Sequence, residues 1–393
     1  MKNLTAIVAI TAVFTLAVCF IMIGSISVEL MKKLDINKAD IGTLVFVFSL
    51  TCLIIQLLVG PMVDKFGHKP LAIGGFVLAS GSIFMLGLAP TFRWTILAAI
   101  LLGIGAICCN TVGNTLLPVV LFGGKEPARA SNFGNAFVGL GFALPPLLIG
   151  ILINDVGMSY THTLSIIGVL VFLFALLAML PQYPQVSTGF GLAKAVDLLK
   201  KVPVLVAAMA LICYIALEFT MTTWVNTLMN ELFGGEVNPN AARNAGLVLA
   251  IFAMAMAIGR FITSTIRNLS RIGAKIIAAG ALVSIVFILT LSATQNQALA
   301  IFAVFMIGLV FAPMFPTIVG VTFANFDPSL YGSIFGIIFS IGFIGPTFLP
   351  KVVGNLSAEG SVQEALPIAA IVAAALLVIA LVMNKVSVKK AAG

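Results

Sequence analysis

The sequence predicts an all-α membrane protein with twelve transmembrane helices in two pseudo-symmetric six-helix bundles. Three observations lead to this fold class. Of 393 residues, 61% are apolar and only 9% are charged, whereas about 25% of the residues of a soluble domain are charged. Twelve apolar stretches are each long enough to cross a bilayer, and one long polar segment divides them six and six. The 21 basic and 13 acidic residues could not cover a water-facing surface of this size.

The apolar stretches define the predicted helices in chain order. A hydrocarbon core about 30 Å thick requires roughly 20 apolar residues per helix. Short connections and interiors that are apolar on all sides favour helices over barrel strands. The first stretch is longer than the apolar core of a signal peptide, so we expect a retained first helix. The twelve spans cover residues 4–28, 41–62, 71–90, 94–122, 132–154, 161–180, 204–230, 245–266, 276–292, 297–323, 331–353 and 365–384.

Prolines interrupt three of these predicted helices. Proline has no backbone N–H and its ring crowds the preceding turn, so it kinks or breaks a helix. We therefore expect kinks in spans five, ten and eleven, at Pro145, Pro146, Pro313, Pro316, Pro346 and Pro350.

The one long polar connection divides the chain into two halves. We predict an N-terminal six-helix bundle over residues 1–181, a cytoplasmic linker over 182–203 and a C-terminal six-helix bundle over 204–393. Weak internal similarities support a duplication, because residues 65–69 resemble residues 206 positions later and a Phe-Gly-x-x-Phe pattern at 133–137 recurs 202 positions later. Such repeats place a substrate site at their interface, near the bilayer midplane.

The basic residues predict the orientation in the membrane. Of the 21, Arg260 lies inside a span, 14 lie on the side of the two termini, and six lie on the other side, namely Lys32, Lys33, Lys38, Arg93, Arg243 and Lys351. Cytoplasmic loops carry the excess of Lys and Arg, so both termini are expected in the cytoplasm of a multi-pass plasma membrane protein, such as one of a bacterial inner membrane. The net charge of +8 reflects this topology and indicates no nucleic-acid partner.

The cysteines and histidines indicate no metal site. All five cysteines fall within spans, where a thiol packs as a small apolar group, and neither histidine has a ligand-type neighbour. The sequence therefore predicts no metal and no cofactor. We expect a monomer surrounded by lipid.

The loop between spans two and three carries a recognisable motif. Residues 60–69 read G-P-M-V-D-K-F-G-H-K. Glycines permit a tight turn there, and the fixed charges can bind neighbouring helices. The segment resembles the signature G-x-x-x-D-[RK]-x-G-[RK] of the major facilitator superfamily. That resemblance implies the superfamily's fold and alternating access, with Asp64 and Lys65 acting in the cytoplasmic gate.

Further motifs resemble the fucose–proton symporter family of sugar permeases. They are Asn110-Thr-x-x-Asn114 in span four, residues 131–141 in span five, Ile-Gly-Arg260-Phe in span eight, residues 315–318 in span ten and residues 331–333 in span eleven. The resemblance implies transport of a sugar coupled to protons, and a role for Arg260 in gating or coupling. The chain departs from that family because fucose-type permeases carry one acid on span one and another where Asn110 stands. Their proton-coupling residues are therefore not transferred to this chain.

Two ionisable residues are expected inside the bilayer, where such groups are costly and often functional. Glu218 lies about 20 Å from the cytoplasmic end of span seven, and Arg260 about 9 Å from that end of span eight. This difference of about 10 Å argues against a direct ion pair between them. Glu218 is the predicted proton-coupling site, and a protonated, merely structural carboxyl is the alternative. Glu29 and Lys351 lie near span ends, from where they can reach the membrane interface.

Neutral polar residues complete the predicted substrate site. Asn110 and Asn114 share one face of span four, and Thr222 and Asn226 share the helical row of Glu218. Amides that offer both donors and acceptors, beside the aromatic Trp224, suit a hydroxyl-rich ligand. Hydrogen bonding between helices is the alternative for each of these side chains.

These features predict a secondary active transporter for a small polar solute, such as a sugar or polyol, coupled to protons or to sodium ions. An exporter of lipophilic drugs or organic ions with the same fold is the alternative. A membrane sensor is disfavoured because no sizeable soluble domain occurs, and an intramembrane enzyme because HExxH and GxSxG motifs are absent. Without a phosphate-binding P-loop, an ion or solute gradient is the expected energy source.

Overall fold

The twelve spanning helices are present in the computed structural model, which describes residues 2–124, 127–184, 191–264, 269–327 and 330–391. Twelve helical segments within these ranges are long and apolar enough to cross a membrane, which confirms the predicted fold class. Apolar segments form helices in a bilayer because a helix satisfies its own backbone N–H and C=O groups where no water is available.

Six spanning helices form the N-terminal bundle. They are α1 (Lys2–Leu34), α2 (Lys38–Phe66), α3 (His68–Leu88), α4 (Phe92–Val120), α5 (Pro127–Ile149) and α6 (Tyr160–Met179). A reciprocal cap starts α2, because the Asn37 side chain accepts from the Asp40 backbone N–H and the Asp40 side chain accepts from the Asn37 N–H. At its C-terminal end, α5 continues into a π-helical turn, Gly150–Asp155. This turn shortly follows Pro145 and Pro146, which lack backbone N–H donors.

The C-terminal bundle contains two interrupted spans. The tenth span breaks between α11 and α12, at residues 312–313, and the eleventh breaks between α13 and α14, at Phe343. Pro316 and Pro346 follow these breaks by three residues and cannot donate to the carbonyls one turn earlier, as the sequence predicted. The helices after the linker are α8 (Val202–Leu232), α9 (Ala241–Ser264), α10 (Leu269–Ala293), α11 (Gln297–Phe311), α12 (Met314–Phe323), α13 (Tyr331–Gly342), α14 (Ile344–Leu356), α15 (Val362–Ala365) and α16 (Pro367–Ala391).

Glycines at equivalent helix crossings relate the two bundles. A Cβ added at Gly103 of α4 would lie 2.9 Å from the Phe48 carbonyl oxygen of α2, and one added at Gly308 of α11 would lie 2.6 Å from the Phe252 carbonyl oxygen of α9. These glycines are 205 positions apart, and both crossings require the absence of a side chain. Two further pairs of close crossings are related in the same way, Gly75 with Gly280 at a separation of 205 positions and Gly141 with Gly345 at 204. The pseudo-symmetric duplication is thus visible in the packing.

Several helix pairs join the two bundles at one end of the molecule. We call this end the distal face: it is the membrane side opposite the two termini, formed by the last turns of α1, α8 and α14 and the first turns of α2 and α9. There Gly24 of α1 lies against the Thr222 backbone of α8, and a Cβ at Gly42 of α2 would lie 3.0 Å from the Lys351 Cα of α14. Glycines allow these close approaches between the halves.

The predicted linker contains a short helix, α7 (Leu192–Leu198). Just before it, the Gly191 backbone N–H donates to the Ser333 hydroxyl of α13 at 3.2 Å. At its start, the Thr5 hydroxyl of α1 donates to the Gln182 carbonyl at 3.1 Å. The described part of the linker is therefore bound to both bundles, on the face that carries the termini.

Candidate functional site

Glu218 and Arg260 form an ion pair in the interior of the C-terminal bundle. Glu218 lies near the middle of α8, and its Oε1 is 3.5 Å from an Arg260 guanidinium nitrogen on α9. Only 10% and 13% of the two side chains are exposed. The expectation that different depths would keep them apart is therefore wrong. It compared backbone positions only, whereas the long arginine side chain extends along the helix and covers much of that difference.

Tyr214 completes this interior cluster. It lies one turn before Glu218 on α8, is fully buried, and has its hydroxyl close to both charges. The Tyr214 hydroxyl lies within hydrogen-bonding reach of the Glu218 carboxylate, whereas the Arg260 Nη1 has no hydrogen-bond partner among the described residues. Buried donors without acceptors are costly, so the cluster can accommodate a ligand that supplies acceptor oxygens. Sequence reasoning missed Tyr214, although the i, i+4 spacing from Glu218 could have identified it.

Phenylalanines surround the interior where the halves meet. The Phe219 ring of α8 lies with its centroid 5.0 Å from that of Phe20 on α1, 6.1 Å from that of Phe48 on α2 and 6.0 Å from that of Phe343 between α13 and α14. These four rings come from both halves, and such ring pairs add attraction beyond their area burial. They form an apolar cluster between the two halves, next to the helical turn that carries Glu218.

Amides form a chain in the N-terminal bundle. The Asn114 Nδ2 donates to the Asn110 Oδ1 at 2.8 Å, and the Asn110 Nδ2 donates to the Gln56 Oε1 of α2 at 3.4 Å. Asn110 and Gln56 are buried, and Asn114 is partly exposed. The predicted pair on α4 thus lies on one face, as its spacing indicated. Gln56 was not predicted, although an amide in the middle of an apolar span was a detectable signal.

Thr222, Trp224 and Asn226 lie between the halves, towards the distal face. The Trp224 Nε1 donates to the Pro350 carbonyl of α14 at 3.0 Å, and the Asn226 Nδ2 donates to the Gly24 carbonyl of α1 at 3.2 Å. The Thr222 hydroxyl donates to the Glu218 carbonyl within its own helix at 3.0 Å. Trp224 and Asn226 therefore bind helices to one another in this conformation, which is the alternative that sequence reasoning left open.

Two ion pairs connect the halves at the distal face. Lys38 at the start of α2 pairs with Glu231 at the end of α8, with 2.5 Å between Nζ and Oε1. Arg243 near the start of α9 pairs with Asp155 after α5, with 2.6 Å between Nε and Oδ1. Lys351 of α14 also crosses between the halves, donating to the Ala39 carbonyl at 2.9 Å. These charges close the distal face.

The loop motif between α2 and α3 forms a tight turn. Gly67 adopts φ 79° and ψ 174°, a conformation that essentially only glycine tolerates, and its N–H donates to the Val63 carbonyl at 2.8 Å. Asp64 and Lys65 therefore lie at the end of α2 on the face of the termini, and the Lys65 Nζ lies 5.2 Å from the Phe66 ring centroid. Arg260, the third predicted gating residue, lies in the interior ion pair, and its gating role stays a prediction.

The described residues contain no group of histidine, cysteine, aspartate or glutamate side chains arranged to hold a metal ion. All five cysteines are buried as free thiols. In span five, the side chains of Asn132 and Asn135 belong to the resembling segment but lie outside the described residues.

Two equivalent six-helix bundles that enclose polar groups between apolar helices are typical of transporters that expose a central site to each side in turn. The sequence profile of the Major Facilitator Superfamily matches residues 8–350. The chain belongs to this superfamily and is a multi-pass membrane transporter.

Curated relatives match part of the chain. Over 186 residues the chain is 27% identical to the quinolone resistance protein NorA of Staphylococcus aureus, and this match covers 46% of the chain and 47% of NorA. The chain therefore spans about half the length of the curated relatives it matches.

Two solved structures show the same fold over nearly the whole chain. The nucleoside transporter NupG superimposes with a TM-score of 0.78 at 16% identity, covering 97% of this chain and 100% of NupG. The Escherichia coli fucose:proton symporter FucP superimposes with a TM-score of 0.64 at 20% identity, covering 96% of this chain and 99% of FucP. At these identities the likeness concerns the fold alone, and the fucose-type resemblance stays a prediction.

Proposed function

We propose that the protein is a proton-coupled secondary transporter of a small polar solute of the sugar or polyol class, with both termini in the cytoplasm. The buried Glu218–Arg260 ion pair is the observation that carries this proposal. It lies inside a transporter fold and contains one group that can change charge.

Coupling follows from the chemistry of the pair. Arginine stays protonated under physiological conditions, so a proton can alter this pair only by neutralising Glu218. Ionised Glu218 holds the Arg260 guanidinium at 3.5 Å. A proton on Glu218 removes that attraction and frees the guanidinium to bind a substrate oxygen. Proton binding and substrate binding are thereby linked at neighbouring groups.

The polar groups support a hydroxyl-rich or carbonyl-containing solute. Arg260 offers a donor without a protein acceptor, the Tyr214 hydroxyl lies beside it, and Asn110 and Asn114 add amides in the opposite bundle. Once Glu218 is protonated, the uncompensated charge of Arg260 repels organic cations and attracts electronegative oxygens. Thr222, Trp224 and Asn226 act in this proposal by closing the distal face, and Asp64 and Lys65 by gating the cytoplasmic face.

An exporter of lipophilic compounds is the second candidate, and one observation favours it. The rings of Phe20, Phe48, Phe219 and Phe343 form an apolar surface between the halves, and large apolar ligands bind such surfaces. The partial similarity to NorA agrees with this candidate.

Uptake into proteoliposomes tests the proposal. Sugars, polyols, nucleosides and lipophilic amines are offered with and without an imposed pH gradient, and with sodium replaced by choline. We expect a polar solute to accumulate under the proton gradient, and the Glu218→Gln variant to lose this accumulation while it still exchanges labelled for unlabelled solute across the membrane.

Glu364→Gln is the matched control, because Glu364 is an exposed acid on the distal side and its replacement should leave accumulation unchanged. Accumulation by Glu218→Gln that equals the wild type would contradict coupling at Glu218. Gradient-driven movement of lipophilic amines alone would favour the second candidate.

A further inference from the structure

Charged residues of the distal face occupy equivalent positions in the two halves, but they do not form equivalent ion pairs. Lys38 corresponds to Arg243, 205 positions later, and Glu29 corresponds to Glu231, 202 positions later. Lys38 pairs with Glu231. The equivalent pair would join Arg243 to Glu29, but Arg243 binds Asp155 instead. One of the two related acids is therefore left without its expected cation.

Glu29 has no other counter-charge in the described part of the chain. Lys33, one turn later on α1, is its natural ion-pair partner by spacing. The Lys33 Nζ instead donates to the Gly87 carbonyl at 2.6 Å and lies 4.9 Å from the Tyr160 ring centroid. Glu29 is half-buried and forms neither a hydrogen bond nor an ion pair with these neighbours. An uncompensated carboxylate near the membrane interface is costly.

Glu29 lines a pocket between the halves, formed by α1, α5 with its π-helical turn, α8 and α9. Asn154 is exposed at the mouth of the pocket, whereas only 4% of Asn226 is exposed. Since Asn154 and Glu29 lie near the distal ends of their helices, the pocket opens towards the distal face.

The polar groups of this pocket present acceptors to its interior. The Asn154 Nδ2 donates to the Gly150 carbonyl at 3.0 Å, and the Asn226 Nδ2 donates to the Gly24 and Ser25 carbonyls at 3.2 and 3.1 Å. Both amide nitrogens are thus engaged with helix carbonyls. The amide oxygens remain, and the Asn226 Oδ1 is buried without any partner. Carboxylate and amide oxygens are ligand types that hard cations prefer, and water can supply the remaining ligands.

We propose that this pocket binds a monovalent metal cation, with Na⁺ as the best-matched ion, through Glu29, Asn154 and Asn226. A single carboxylate supplies one negative charge, since the neighbouring Arg243–Asp155 pair is neutral overall. Because the lining belongs to both halves, the bound cation stabilises the closed distal face. The site is separate from Glu218, so it stands whether or not protons are coupled there.

Thermal unfolding of the purified full-length protein tests the site without any transport assay. Melting is followed in NaCl, KCl, NH₄Cl and choline chloride at constant ionic strength. A ligand that binds only the folded state raises the midpoint temperature in a saturable manner. We expect Na⁺ to raise it above choline in the wild type, and Glu29→Gln to abolish this rise. In choline, Glu29→Gln should melt no lower than the wild type, since it removes an unpaired charge.

Asn154→Ala and Glu364→Gln complete the design. Asn154→Ala removes one ligand at the exposed mouth, so we expect half-maximal stabilisation at about tenfold higher Na⁺. Glu364→Gln removes an exposed acid outside the pocket and should keep the wild-type response. Equal Na⁺ responses in wild type and Glu29→Gln overturn the proposal. Stabilisation by NH₄⁺ but not by Na⁺ also overturns it and assigns the pocket to an ammonium group.

Discussion

Replacing Glu218 with glutamine is expected to destabilise the protein, because the change leaves the Arg260 guanidinium buried without a counter-charge. Glutamine keeps the size and one hydrogen-bonding oxygen of glutamate, so the lost charge is the main perturbation. Arg260→Gln makes the converse change, and the double variant removes both charges. Together these variants form a double-mutant cycle on one contact.

The expected loss of unfolding free energy follows from the geometry of the Glu218–Arg260 pair. At 3.5 Å, two unit charges attract by about 5 kcal/mol at an effective dielectric constant of about 20. Breaking a buried pair by removing one partner costs about 3–5 kcal/mol, and replacing both partners costs far less. Since about a tenth of each side chain is exposed, we expect about 3 kcal/mol for each single variant. The double variant should be closer to the wild type than either single variant.

Reversible unfolding in mixed micelles of detergent and sodium dodecyl sulfate measures these free energies for all four proteins. A coupling energy of about 2 kcal/mol or more is expected for the cycle. Additive effects, with the double variant as unstable as the two losses combined, would refute the ion pair as a stabilising contact and with it the coupling argument.

Three further predictions concern the distal face and the loop motif. Lys38→Glu should shift the population about fivefold towards an open distal face, since a partly exposed ion pair contributes about 1 kcal/mol. Adding Glu231→Lys should restore the closed population. Spin-label distances between the two halves would report both changes. Gly24→Ala should open the same face more strongly, because a Cβ there meets an α8 backbone carbonyl, and unchanged distances would contradict this. Gly67→Ala should cost about 1–3 kcal/mol of unfolding free energy, whereas Gly74→Ala, where a Cβ meets nothing within 4 Å, should not destabilise.

The fold was predictable because each apolar span is nearly autonomous in a bilayer. Its backbone hydrogen bonds are internal, so composition and length alone define it. The breaks in spans ten and eleven followed from Pro316 and Pro346, which lack a donor. The duplication was also detectable in the sequence, through the repeated loop motif and the Phe-Gly-x-x-Phe pattern. The glycines at equivalent helix crossings, such as Gly103 and Gly308, are stronger evidence for it.

The site was only partly predictable. Glu218 and Arg260 were identified as interior charges, yet their pairing depends on helix tilt, rotation and side-chain reach, which counting residues along a helix does not supply. The Lys38–Glu231 pair was missed for a related reason, since it joins the two halves. Trp224 was predicted to line a substrate surface, and that role stays a prediction; in the structure its indole N–H donates to the Pro350 carbonyl of α14, a contact that the sequence does not reveal.

Proton movement driven by substrate tests the central claim most directly. A pH-sensitive dye is enclosed in proteoliposomes without an imposed gradient, and the transported solute identified by the uptake screen is added outside. Wild-type protein should change the internal pH as the solute moves, because each cycle carries a proton on Glu218. Glu218→Gln should equilibrate the solute with no change of pH. A pH change of wild-type size in Glu218→Gln would contradict the account.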